Sequence, residues 1–196
     1  LKIVMVASAT TSSAPDINQT GSTQRRARRC PPLNSGNAMK IRRVVTGLDA
    51  TGQSVFISDD AAPRSCAFES IPGHAMAHLW STSAQPQPLN AQQDPTLGHP
   101  PLVPGPGETC LAIYDFPPDT VMHNPTDVGQ MIEELDSALP GLFDCFEPEH
   151  PGMHTTPTID YGILLQGELW LELDNGEQKR IQPGDVVIQQ GTRHAW

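Results

Sequence analysis

The chain has 196 residues, enough for one domain with a sizeable core and too few for two large ones. Its 20 Pro and 16 Gly favour turns over long helices and lean the expectation towards β structure. The net charge of -10 is unevenly spread: residues 1–38 hold Lys2, Arg25, Arg26, Arg28 and Arg29 against Asp16, so the remainder is more acidic than the whole and repels nucleic acid. Cys30, Cys66, Cys110 and Cys145 are scattered, without the close pairs of zinc ribbons or dense disulfide frameworks, which implies reduced thiols and a cytoplasmic protein. No apolar run approaches the length of a membrane span, and Ile3–Ala7 is too short for a signal-peptide core.

Residues 1–38 lack periodicity and read as a disordered or spurious extension, with the folded part starting at Met39. The alternative for Arg25, Arg26, Arg28 and Arg29 is a nucleic-acid or membrane-surface patch. Ile41–Thr46 and Ser54–Ser58 flank a Gly-containing turn at Asp49–Gly52 and predict a hairpin. Met76–Thr82 predicts a strand, Ser83–Gly107 a long surface connection, and Glu108–Phe116 another strand ended by Pro117 and Pro118. One segment, 127–139, predicts a helix: Val128, Met131, Ile132, Leu135 and Leu139 share a face, Thr126 or Asp127 can cap the start, and Pro140-Gly141 stops it. A loop follows over Leu142–Gly152.

From Met153 to Trp196 the β signal is strong. Leu169, Leu171 and Leu173 alternate with Glu168, Trp170 and Glu172, and Asn175-Gly176 predicts a two-residue hairpin turn, since positive φ is needed at both positions. Pro183-Gly184-Asp185 turns the chain into Val186–Ile188, which reads as a buried strand.

This segment resembles the cupin superfamily, whose first motif runs His-x-His, three or four residues, Glu, six residues, Gly, and whose second ends in Pro-x-Gly-x-x-His. His154 takes the first His position, Thr156 stands at the second, Asp160 replaces Glu, and Gly167 takes the Gly position. Gly184, Gly191 and His194 fit the second motif, with Gln189 in place of Pro. The strings HxTxTxDYxxxLxGE and PGDVxxQxGTxHAW are similar to those of the stand-alone OryJ/VirC-like subgroup, some members of which lie in small-molecule biosynthesis clusters.

The resemblance implies an all-β fold, a cupin double-stranded β-helix or jelly-roll barrel with the helix outside it, over residues 39–196. A jelly-roll of this family continues past His194 into a further strand, so the chain reads as truncated at Trp196. It also implies that His154, Asp160 and His194 converge in one cavity as catalytic residues. Even spacing along a strand gives His154, Thr156 and Asp160 one parity. Two imidazoles and a carboxylate match a divalent metal site for Fe, Mn, Zn or Ni, held weakly because Thr156 is a poor ligand. The alternative is a hydrogen-bonded polar cluster without metal. His150, His78 or Tyr161 can fill the vacancy at Thr156, while His74, His99 and His123 read as solvated or capping. Thr156, Tyr161, Leu164, Ile188 and Trp196 are the expected pocket residues.

Two functions follow as expectations. One is an enzyme acting on a small organic acid, enol or polyketide-like molecule as a metal-dependent oxidoreductase, decarboxylase or isomerase, or through His-mediated proton transfer. The other is a binding or sensor cupin that catalyses nothing. The expected partner is a small-molecule ligand, with no nucleic acid or membrane, and a homodimer is the expected assembly.

Overall fold

The computed structural model describes residues 1–9, 39–86 and 94–196. Ten strands follow in order: β1 (Lys2–Ala9), β2 (Arg42–Leu48), β3 (Ser54–Ala61), β4 (Arg64–Ala67), β5 (Ala75–Thr82), β6 (Thr109–Asp115), β7 (Thr158–Gln166), β8 (Leu169–Glu172), β9 (Gln178–Ile181) and β10 (Val186–Gln190). Two helices, α1 (Asp119–Met122) and α2 (Val128–Ala138), lie between β6 and β7. No helix among the described residues is long and apolar enough to cross a membrane.

Six strands pair antiparallel in the order β10-β7-β1-β6-β5-β4. The expectation that residues 1–38 lie outside the folded part fails for Lys2–Ala9. This segment is an inner strand of the sheet, hydrogen-bonded to β6 on one side and β7 on the other. The run Ile3-Val4-Met5-Val6, mostly β-branched, is itself a strand signal, but local pattern does not give its partners, which lie far away in sequence. Residues 10–38, with the arginine cluster, lie outside the described residues, as do 87–93.

The register sorts the inner face of this sheet into rows. Leu164, Ile3, Tyr114, Met76 and Cys66 line up across five strands, all of them buried. Each such side chain contributes about 1.5–3 kcal/mol by leaving water. The next row is Val187, Gly162, Met5, Ala112, His78 and Arg64, and the one beyond it is Gln189, Asp160, Ala7, Cys110 and Ser81. The interior therefore grades from apolar at one end to polar at the other.

A second, smaller layer closes over this face. The hairpin β8–β9 is extended by single bridges from Glu172 to Ala195, from His194 to His154 and from His154 to Phe146. Leu169, Ile181, Leu171 and Trp196 from this layer join Ile3, Leu164, Tyr114 and Met76 in one apolar cluster. Two antiparallel layers around one core form the jelly-roll barrel that the motif resemblance implies. The turn at Asn175-Gly176 has φ of 61° and 75°, as that dipeptide requires.

The predicted first hairpin is β2–β3, and Met39, Ile41 and Ala62 beside it pack on the outer face over Ala75, Ala77 and Ile113. The connection Ser83–Gly107 is not wholly superficial. Asp94 Oδ1 accepts from Thr96 N at 2.9 Å and Thr96 Oγ1 at 2.6 Å, Arg43 pairs with the Asp94 carboxylate, and Thr96 and Leu102 are buried.

Asp127 caps α2, its Oδ1 accepting from Gln130 N at 2.9 Å. Met131, Leu135 and Ala138 pack on the core, whereas Val128 and Ile132 are exposed, so the buried stripe is rotated from the predicted one. Glu134 explains the rotation: it accepts from Ser70 Oγ at 2.5 Å and Ser70 N at 3.1 Å, which fixes the helix on the loop before β5. Val186 and Ile188 are each 59% exposed, against the predicted buried strand. On β10 only Val187 and Gln189 turn inward, and none of the described residues packs over the outer face to cover the other two.

Candidate functional site

The second motif places His194 and the first places His154 on neighbouring backbone segments, joined by His154 N to His194 O at 2.9 Å and His194 N to His154 O at 3.0 Å. Arg193 clamps the same region, donating to both carboxylate oxygens of Glu147 at 2.6 and 2.7 Å and to Asp174 at 3.0 Å. The two imidazoles meet with ring centroids 4.2 Å apart, flanked by Phe146 at 4.6 Å from His154 and Trp196 at 5.6 Å from His194.

Each ring is held in one tautomer. His154 Nδ1 donates to Gly152 O at 3.0 Å and His194 Nδ1 to Thr192 O at 2.9 Å. A carbonyl oxygen only accepts, so Nδ1 carries the proton in both rings and Nε2 carries a lone pair. No described residue hydrogen-bonds to either Nε2. Burial lowers the His154 pKa to about 4, aided by the neighbouring His194, and burial lowers that of His194 as well. Both imidazoles are neutral bases at physiological pH.

Asp160 is buried on β7 and faces inward, but it is turned to other partners. Its Oδ1 accepts from Thr158 Oγ1 at 2.8 Å and its Oδ2 from Thr156 Oγ1 at 3.3 Å, while the two hydroxyls lie 2.8 Å apart. Burial raises its pKa, and the two threonine hydroxyls act in the opposite sense. Thr156 thus serves the carboxylate rather than standing idle at the second His position.

This donor set does not fit the expected metal. Among the described residues no three of His, Cys, Asp and Glu stand where they can hold one ion, and Asp160 spends its oxygens on Thr156 and Thr158. None of the three candidates for the vacancy at Thr156 fills it. His150 and Tyr161 are exposed, and His78 is buried in a hydrogen bond of 2.7 Å to Arg64 Nη1.

Of the pocket residues, Thr156 and Leu164 face the interior and Trp196 packs against the core. Tyr161 and Ile188 do not: they are paired across β7 and β10 on the outer face, 44% and 59% exposed. Odd parity on β7, opposite to that of Asp160, sends Tyr161 outward. His74 is neither solvated nor a cap, since it stacks between Phe68 and Phe116 with ring centroids 4.3 and 5.2 Å away. His99 and His123 close the ends of short helical turns.

Sequence reasoning missed Gln189, which it read as a departure from Pro. The side chain is 3% exposed and turned to the interior, directly opposite Asp160. Its parity with Val187 on a short strand was the available signal. Gly167, in contrast, has a structural reason for its place in the first motif. Its φ is +90°, and a Cβ there would come within 2.6 Å of Leu1 Cβ.

Two antiparallel layers, with two motif-placed histidines bridging the smaller one and polar side chains at one end of the interior, define a barrel of the jelly-roll class. No family model matches the chain. It is 32% identical over 160 residues to the phomopsin biosynthesis cluster protein C' of Diaporthe leptostromiformis, spanning 79% of this chain and 68% of the relative. It is 45% identical over 51 residues to the oryzines biosynthesis cluster protein J of Aspergillus oryzae, which is 24% of this chain and 28% of that one. A cupin-domain-containing oxidoreductase virC of Hypocrea virens is 29% identical over 79% of this chain and 65% of its own length. The chain belongs to the cupin superfamily, within its OryJ/VirC-like subgroup.

Proposed function

We propose that this protein binds a small organic molecule in its barrel and moves a proton on it, with the Nε2 atoms of His154 and His194 as the acid–base groups. The observation that carries the reading is the pair of Nδ1 hydrogen bonds to backbone carbonyls, which leaves the Nε2 lone pairs free of a described partner on two neutral rings with centroids 4.2 Å apart. A buried, neutral imidazole with a fixed tautomer is what general base catalysis requires. Relatives from phomopsin and oryzines biosynthesis clusters, and others named oxidoreductases, support a place in small-molecule metabolism.

The step is the following. One Nε2 takes a proton from a carbon beside a carbonyl, and the C–H electron pair passes into the carbonyl to give an enolate. The imidazolium so formed returns the proton from its Nε2 to carbon or oxygen, which restores the neutral ring. Nothing is oxidised or reduced, so no further reactant is needed.

The test is proton exchange in D2O with 2,4-pentanedione and acetoacetate as probes, followed by NMR. The wild-type protein accelerates exchange, and His154→Gln and His194→Gln each lower the rate by about 10²–10⁴, the usual contribution of a positioned acid or base. The rate falls in acid along a limb near pH 4, where His154 gains its proton, instead of near 6.5. Exchange that is equal in all three proteins would sink the assignment.

A further inference from the structure

We propose that Gln189 is the recognition group of a ligand subsite inside the barrel, built for a neutral group that offers N–H and C=O on one edge, as a primary carboxamide or a lactam does. The inference rests on the reading that the barrel holds a small molecule, and names the chemistry of that molecule.

Gln189 is 3% exposed, and both Nε2 and Oε1 are buried without a hydrogen-bond partner. A buried carboxamide missing both its donors and its acceptor is costly and rare in a folded protein. The two orphan functions lie in one plane on one side chain, so a single planar group with the complementary edge satisfies both.

The neighbours along the row decide the charge of that group. Asp160 stands directly opposite Gln189 in the register, where facing Cβ atoms lie about 4.5–5.5 Å apart. Its hydrogen-bond partners are threonine hydroxyls, not cations. An anionic carboxylate placed against Gln189 meets that acid, while a neutral amide does not. Beyond Asp160 the row continues through the small side chain of Ala7 to Cys110.

The experiment uses the full chain and three probes of one shape: benzamide, N,N-dimethylbenzamide and benzoate, titrated by ligand-observed NMR. Benzamide binds at least tenfold more tightly than the other two, because the second lacks the donor and the third carries the charge. In Gln189→Met benzamide loses its advantage over N,N-dimethylbenzamide while benzoate stays the weakest because Asp160 remains, and the melting temperature does not fall, since an unsatisfied amide is replaced by an apolar side chain of similar size. Equal binding of the three to the wild-type protein overturns the proposal, and so does failure of all three to bind. A marked drop in melting temperature in Gln189→Met also overturns it, by giving the amide a structural role. The probe ranking on the wild-type protein needs no variant, so misfolding of Gln189→Met leaves the proposal testable. Proton exchange at His154 and His194 judges the parent reading separately.

Discussion

Burial of neutral imidazoles ties stability to pH residue by residue. Burial holds the pKa values of His74, His78 and His154 down at about 4, against 6.5 for an exposed histidine. For His78 the neighbouring Arg64 guanidinium adds to burial. The unfolded chain therefore binds more protons than the folded one between pH 6.5 and 4. Stability is retained above that window and lost on acidification through it, by up to about 1.4 kcal/mol per pH unit for each imidazole. Asp160 works the other way, since its raised pKa means that acidification relieves a buried charge. Urea unfolding at pH 7 and pH 5 will show a lower unfolding free energy at pH 5, and His74→Phe, which keeps a ring between Phe68 and Phe116, will reduce the slope. A flat profile between the two pH values would show that these imidazoles accept protons in the folded state.

Among the elements, α2 shows how one side chain sets the docking of a helix. Glu134 carries no cation but accepts from the Ser70 hydroxyl and amide, and Ser70 is fully buried. Glu134→Ala leaves two buried donors unpaired and is expected to cost about 1–3 kcal/mol, whereas Glu133→Ala on the exposed side costs little. Chemical denaturation of the two variants side by side checks this. Elements specified by local chemistry were legible in the sequence: the Asp127 cap, the Asn175-Gly176 turn and the alternation of β8. The inward face of β10 was not, because Val186–Ile188 is a run of three apolar residues, and periodicity cannot say which of them meet a neighbour. At the site, the motif placed His154 and His194 together and turned Asp160 inward. The string HxTxTxDY contained Thr158 but gave it no role: its hydroxyl, two residues before Asp160, takes up one carboxylate oxygen and Thr156 the other.

For the molecule as a whole, the decisive element is β1, which joins the two halves of the main sheet. Ile3 is 2% exposed and packs with Leu164 and Tyr114, and the Leu1 amino group donates to Phe116 O at 2.8 Å. Removal of residues 1–9 takes hydrogen bonds from β6 and β7 together and opens two unpaired edges inside the sheet. The shortened chain is expected to lose cooperative melting and to aggregate, while a chain carrying only Lys2→Ala, which breaks the half-buried pair with Asp115 at 3.2 Å, melts close to the parent. Equal melting of the shortened and full chains would show that the sheet closes without β1.

The position of β1 also sets an order of events at the ribosome. Of the described strands, β1 is made before both of the strands it must sit between, and its contact with Phe116 spans 115 residues. At about 5–20 residues per second, β6 follows β1 by roughly 5–20 s, and β7 later still. Through that interval the apolar segment Ile3–Ala7 has no sheet to enter, so it depends on chaperones or on transient company. Closing the sheet around β1 is in consequence slow, since its pairings with β6 and β7 each close a long loop.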